Sequence, residues 1–360
     1  MTAARSHPPV TASAALASYP RAALRPLFFR TRWPRATAHD RALLDYQLAL
    51  PRILRRRPVR FVVREVRVVS AHGEGGIREL TLEAEARAVP GDMLYLGWRN
   101  APDAVAAVLP AGAADAVLPY WTTPAPGVPS RRARATSAEL AATVLDLADA
   151  LAAQFPELPR AAPRMVPRVF TLSGVRSLGG GRQELRVLVS HHAAWPSRAA
   201  AHLHRVVPGE ALAGWVLPHP HRLPPLHGAL GDGVAVVTGS GIAGVLAALR
   251  SGVAGRPWLV WGLRGEPAPW LRAELDGYAA AGAIRRLDVV DSRAASGLRR
   301  VTDVLASASD AVAADLASGA WLYVSGHAAM ADPVRAAVTA AAGPDTVERL
   351  QATLRYVEST

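Results

Sequence analysis

The sequence predicts an antiparallel β-barrel carrying a short helical insert, followed by a parallel α/β domain. Three observations predict it. Between residues 60 and 100, and again between 167 and 217, short runs alternate apolar and charged residues and are parted by glycine or proline turns. That is the pattern of antiparallel strands with one wet face. From residue 230 onward, apolar runs alternate with helix-length segments, the pattern of a parallel sheet with crossover helices. At the head of this second half stands Val234–Leu249, VAVVTGSGIAGVLAAL: a β-branched strand, a glycine turn and an Ala/Leu-rich helix.

Composition bounds what such a chain can do. It has 360 residues, enough for two domains, and half of them are apolar. The net charge is +12 and every basic residue is Arg. Abundant Ala, Arg, Gly and Pro without Lys is the mark of a GC-rich coding sequence, so the charge alone points to no partner. It is also uneven. Residues 1–60 hold twelve Arg against Asp40 and Asp45, a balance of +10, which leaves +2 for the rest. That excludes a nucleic-acid surface on the folded body. The absence of Cys excludes disulfides, thiolate metal sites and cysteine nucleophiles. No apolar run approaches the ~18–20 residues that span a membrane, so a cytoplasmic protein is expected.

Residues 1–59 read as an Arg-rich extension, partly disordered, with no apolar signal-peptide core. A transit peptide would share this composition. Asp40–Leu50 has the spacing of a short amphipathic helix before Pro51. Arg55-Arg56-Arg57 is either a solvated linker or a docking patch for an acidic partner.

The barrel is expected over 60–228. Arg60–Val69 and Ile77–Ala84 form a hairpin across Gly73, Gly75 and Gly76. Pro90-Gly91-Asp92 is a turn into a third strand, Met93–Trp98. The insert covers about 100–160: a short helix from Asn100, a loop over Ala111–Arg134, and a helix from Ser137 to Gln154 ended by Pro156. Pro167–Gly174 and Gln183–Ser190 are paired strands, Ala199–Val207 is helical, and Gly214–Leu217 is a further strand. His191 and His192, adjacent in a strand, point to opposite faces and are poor joint metal ligands, so no metal is expected.

The α/β domain is expected over 229–360. The turn spells Gly239-x-Gly241-x-x-Gly244, the dinucleotide fingerprint. Glycines let a backbone approach a pyrophosphate, and the helix start stabilises its charge. An ordinary strand–turn–helix with no ligand has the same spelling. Strands follow at Trp258–Gly262, Ile284–Val290 and Trp321–Ser325, with helices at Pro269–Ala280, Val301–Leu316 and Met330–Ala341. Ser292-Arg293 ends the third parallel strand, where a guanidinium suits the 2′-phosphate of NADP. The second strand ends at Gly262-Leu263-Arg264 without the acid that an NAD site places there.

In this order the segments resemble the ferredoxin–NADP reductase superfamily, nearest its diflavin branch: the FAD–NADPH halves of cytochrome P450 reductase and the sulfite reductase flavoprotein. The resemblance covers about residues 60–360. It rests on Pro90-Gly91-Asp92, Arg168-Val169-Phe170-Thr171, Arg222-Leu223-Pro224, Gly239-Ser240-Gly241-Ile242-Ala243, Ser292-Arg293, Tyr323-Val324-Ser325-Gly326 and Arg355-Tyr356. It implies an FAD-binding barrel, an NADP-binding α/β domain, and hydride passing from NADPH to FAD and on to a separate acceptor. That acceptor would be a flavodoxin, a ferredoxin or a sulfite-reductase-type partner, with an FMN or iron–sulfur centre. It is expected to dock on the Arg-rich residues 41–60.

The resemblance assigns roles by position. Arg168 meets the FAD pyrophosphate, Phe170 packs on the isoalloxazine, and Thr171 places a hydroxyl near its reactive nitrogen. Gly239, Ser240, Gly241 and Ile242 cradle NADP, and Ser292, Arg293, Arg299 and Arg300 hold its 2′-phosphate. Ser325 replaces a family cysteine beside the nicotinamide, and Glu358 is the C-terminal acid. There are departures. Glu210–Trp215 stands where the branch has its flavin-pyrophosphate turn, with Ala213 in place of a hydroxyl residue. The chain ends Glu358-Ser359-Thr360, without a terminal aromatic. Two readings follow: a working FAD- and NADPH-dependent reductase, or a degenerate reductase-like protein serving as a scaffold or assembly factor.

Overall fold

The computed structural model describes residues 58–72, 75–97, 117–122, 131–136, 168–191, 198–219, 231–253, 255–294, 297–353 and 355–359. The expected N-terminal extension, the helices at 100–108 and 137–154, His192 and Arg222-Leu223-Pro224 lie outside the described residues. Val59–Trp98 and Pro167–Thr360 form one compact unit, which carries both sheets.

In chain order the first strands are β1 (Val59–His72), β2 (Gly75–Glu85), β3 (Met93–Leu96), β4 (Val117–Thr122), β5 (Arg131–Thr136), β6 (Arg168–Gly179), β7 (Arg182–His191) and β8 (Ala211–Leu217). Six of them close an antiparallel barrel in the order β1-β2-β7-β6-β3-β8, sealed by β8 pairing back onto β1. The remaining two, β4 and β5, pair as a separate hairpin. The stretch 111–134, rich in Ala, Pro and Arg, reads as loop, so this hairpin corrects the expectation. Strands also run longer than expected at several ends, and helix α1 (Arg198–Leu203) is shorter.

Alternation fills the barrel. Leu80 and Leu82 on β2, Leu94 and Leu96 on β3, and Leu185, Val187 and Val189 on β7 point inward. The intervening residues were expected to face water, and part of that face does not. Ile77 and Leu188 point outward into a second core. Strand β1 reaches both cores through register shifts at Val63/Glu65 and Val68/Ser70. Each shift inserts a residue and reverses which side chains face in. Phe61 and Val63 lie inside the barrel before the first shift; after it Val66 packs on that core, and Val69, at the second shift, joins the outer core.

The second sheet is parallel: β9 (Gly233–Thr238), β10 (Pro257–Leu263), β11 (Arg286–Asp291), β12 (Trp321–Ser325) and β13 (Tyr356–Ser359), in the order β11-β10-β9-β12-β13. Its helices are α2 (Ala243–Arg250), α3 (Pro269–Ala280), α4 (Val301–Ser307), α5 (Ser309–Ala317), α6 (Ala331–Ala342) and α7 (Thr346–Ala352). The single helix expected over Val301–Leu316 is broken at Ala308, which leaves helical geometry at φ −124°, ψ 33°. Short β13 and α7 were not expected; four residues carry too little pattern to declare a strand. Strands β9 to β11 step outward, then the chain crosses to place β12 on the other side of β9. That reversal lies between β9 and β12, and open α/β sheets bind ligands beyond the strand ends at such a point.

Candidate functional site

A cavity of about 800 Å³ opens at this switch point. Thr238 ends β9, Ser325 and Gly326 end β12, and Leu263 and Arg264 end β10; all line it. The opposite wall is the outer surface of the barrel, with Ser70 and Ile77, Val169 to Thr171, and Leu188 and Ser190. Ser190 Oγ donates to Ser240 Oγ at 2.8 Å, which ties the glycine turn to β7.

The glycine turn is a tight 3-10 turn, Gly239–Ile242, that feeds directly into α2. Gly239 takes φ +55°, which excludes most side chains at little cost to glycine. The next two glycines answer to packing against the protein itself. A Cβ on Gly241 would meet the Ser325 carbonyl oxygen at 2.4 Å, and one on Gly244 would meet the Tyr323 hydroxyl at 2.4 Å. Burial pushes the Tyr323 phenol up from its usual value, so it stays a neutral packing partner. Gly239, Ser240 and Gly241 line the cavity; Ile242 is fully buried and props the turn from behind.

One end of the cavity is cationic. Arg264, Arg299 and Arg300 line it with exposed side chains, beside Ser292 and Thr302. The loop holding two of these is fixed by Asp303 at the start of α4, whose carboxylate accepts the backbone N–H groups of Arg300 at 2.9 Å and Arg299 at 3.1 Å. Asp291 does the same for the neighbouring loops, accepting from Gly265 N–H at 2.7 Å and Arg293 N–H at 2.9 Å. Those two backbone bonds hold its carboxyl below the usual carboxylate range. Arg293 itself is exposed and is not part of the cavity wall. Its expected place is taken by Arg264, which sequence reasoning noted only as the absence of an acid.

At the other end the wall is mixed. Thr171 is half-buried on it, and Val169 is 42% exposed beside it. The Phe170 ring divides its contacts between the cavity and the barrel core. Ser325 lies across from them, with its hydroxyl donating to the Ser359 carbonyl at 2.9 Å. Thr238 Oγ1 is likewise committed, donating to Met330 Sδ at 2.9 Å and accepting from His327 N–H at 3.2 Å.

Five expected site residues lie elsewhere. Arg168 is exposed at the start of β6, off the cavity wall. Ala213 is mid-strand in β8, paired with Arg60, because Ala211–Trp215 is strand and forms no turn. Ile242 and Arg293 are placed as described above. Glu358 points to the other face of β13, where its carboxylate accepts from Arg335 and from the Tyr356 hydroxyl, each at 2.5 Å. Strand alternation explains it: Ser359, one residue on, is the one that lines the cavity.

Among the residues lining the cavity there is no carboxylate. Among the described residues no cluster of His, Asp and Glu is placed to hold a metal, and no helix is long and apolar enough to cross a membrane. No protein-family model and no curated protein sequence matches the chain.

Proposed function

We propose that the protein is an NADPH-dependent flavoprotein reductase, taking hydride from NADPH onto FAD and passing electrons to a separate acceptor protein. The observation that carries the reading is the cavity at the β9/β12 switch point, cationic at one end and walled by the barrel at the other. Its residues fit a phosphorylated nicotinamide dinucleotide. Three guanidinium groups beside Ser292 match a 2′-phosphate, since Arg pairs phosphate oxygens in a planar fork. The hydroxyls of Ser240 and Thr302 suit the sugars and linking phosphates, and no carboxylate among the lining residues opposes the negative charge.

The barrel wall fits the flat ring of a flavin at Val169, Phe170 and Thr171. The two cofactors, once bound, supply the hydride chemistry between them. This chain's part would be to hold both groups in the one cavity and to limit water there. Thr171 would face this space from the barrel wall and Ser325 from the end of β12.

A specific observation favours the second reading, a reductase-like scaffold without turnover. The residues expected at the flavin pyrophosphate, Arg168 and Ala213, stand off the cavity. The visible spectrum of the purified protein before and after anaerobic NADPH decides between them. A flavin band that bleaches supports the reductase; a colourless protein that takes up no added FAD supports the scaffold.

A further inference from the structure

The most buried charged cluster among the described residues lies outside the cavity, on the seam between barrel and α/β layer. Glu79 of β2 is 1% exposed. Its carboxylate accepts from Arg67 at 2.8 Å and from Arg250 Nη1 at 2.6 Å. Arg250, in the last turn of α2, also clasps Glu274 of α3 with two bonds, from Nε at 2.8 Å and Nη2 at 3.0 Å. The same Nη1 reaches the Ser173 carbonyl and hydroxyl on β6 at 3.4 and 3.3 Å. One guanidinium thus joins two helices of the α/β layer to two strands of the barrel. Strand β6 is shaped to receive it: its register shifts between Leu172 and Gly174, and a Cβ on Gly174 would meet Arg250 Cδ at 3.3 Å.

What Arg250 connects matters more than its burial. It closes the helix that begins at the glycine turn, and it touches β6 two residues beyond Thr171. Helix α2 and β6 thus link the two cavity walls at a second point, remote from the Ser190–Ser240 bond that ties the glycine turn to β7. Resting on the reductase reading, we propose that Arg250, held by Glu79 and Glu274, is a positioning residue that sets the gap between the glycine turn and the Phe170–Thr171 wall. Hydride transfer demands a donor–acceptor approach within a few tenths of an ångström, and a ~1 Å misplacement costs about a hundredfold in rate.

Arg250→Lys tests this. It keeps the charge but replaces the fork with one point contact. The expected result is unchanged flavin content, an NADP+ dissociation constant within threefold of wild type, and flavin reduction at saturating NADPH about a hundredfold slower. Amide exchange should rise together in residues 172–175 and 239–242, while β10 and β11 stay protected. A merely structural role would instead lower Tm and leave the rate of the folded, flavin-loaded fraction unchanged; that outcome overturns the proposal, as does unaltered exchange at both segments. If Arg250→Lys does not fold, Glu274→Gln is the second variant. It loosens only the α3 side, and the same rate loss at unchanged affinity is expected. Wild-type protein that binds neither cofactor overturns the reductase reading and the catalytic part of this proposal with it. The exchange arm then still decides whether Arg250 holds the two segments in step.

Discussion

Arg299, Arg300 and Arg264 present exposed guanidinium groups to one end of the cavity, and Arg293 does not. Replacing any of the three by Ala should weaken NADP+ binding by about 1.5 kcal/mol, the low end for a charged hydrogen bond because these groups are well solvated. Calorimetric titration with NADP+ and NAD+ in parallel checks it; loss for NADP+ alone is expected, and Arg293→Ala should change neither. The glycine turn gives a second prediction. In Gly241→Ala the new methyl meets the Ser325 carbonyl and the Gly326 nitrogen, and both are backbone that cannot rotate away. Overpacking of this kind costs about 1–3 kcal/mol, read from urea denaturation. The turn was legible from three glycines, but two of them also leave the room that β12 needs. A spacing motif cannot tell those purposes apart, because both require the same missing Cβ.

Among the elements, α3 carries an acid-sensitive contact. Burial alone would raise the Glu274 carboxyl, but its paired bonds to Arg250 win and hold it below its ordinary value. A carboxylate lowered on folding adds stability above its unfolded pKa of ~4.3, and that stability is lost as pH falls through the folded value. Stability should therefore decline below about pH 4.5, and Glu274→Gln should flatten the decline. A pH series of urea denaturations would show it, and an unchanged slope would remove Glu274 from the acid response. Element reading succeeded where runs were long: β9, β10, α3 and α6 stand close to their expected bounds. It failed on β13, where a one-residue parity decides that Ser359 lines the cavity and Glu358 pairs with Arg335. Parity in so short a strand is set by its neighbour β12, which local sequence does not contain.

For the whole molecule, barrel and α/β layer share one core. Val69, Ile77 and Leu188 of the barrel pack with Leu246, Leu249 and Leu271 of the helices. Arg67 lies over the Trp270 ring at 3.8 Å, and Trp270 Nε1 donates to the Val68 carbonyl at 2.7 Å. The two sheets should melt in a single calorimetric transition. NADP+ at a hundred times its dissociation constant should add about 2.7 kcal/mol to the whole. Two separate transitions, only one of them moved by NADP+, would argue against the shared core. Both sheets were legible from alternation and from the strand–helix rhythm. The seam was not, since an outward Ile or Leu in a barrel strand looks the same whether water or a helix lies beyond it.

That seam also has a history during synthesis. The Trp270–Val68 bond joins residues 202 positions apart. The strands that bear Val69, Ile77 and Leu188 are translated well before α2 and α3 exist to cover them. At translation rates of ~5–20 residues per second, an apolar stripe stays bare for on the order of ten seconds or more. The nascent barrel is thus a client for whatever holds sticky chains apart at the ribosome. Any truncation that removes the α/β layer would make that transient exposure permanent.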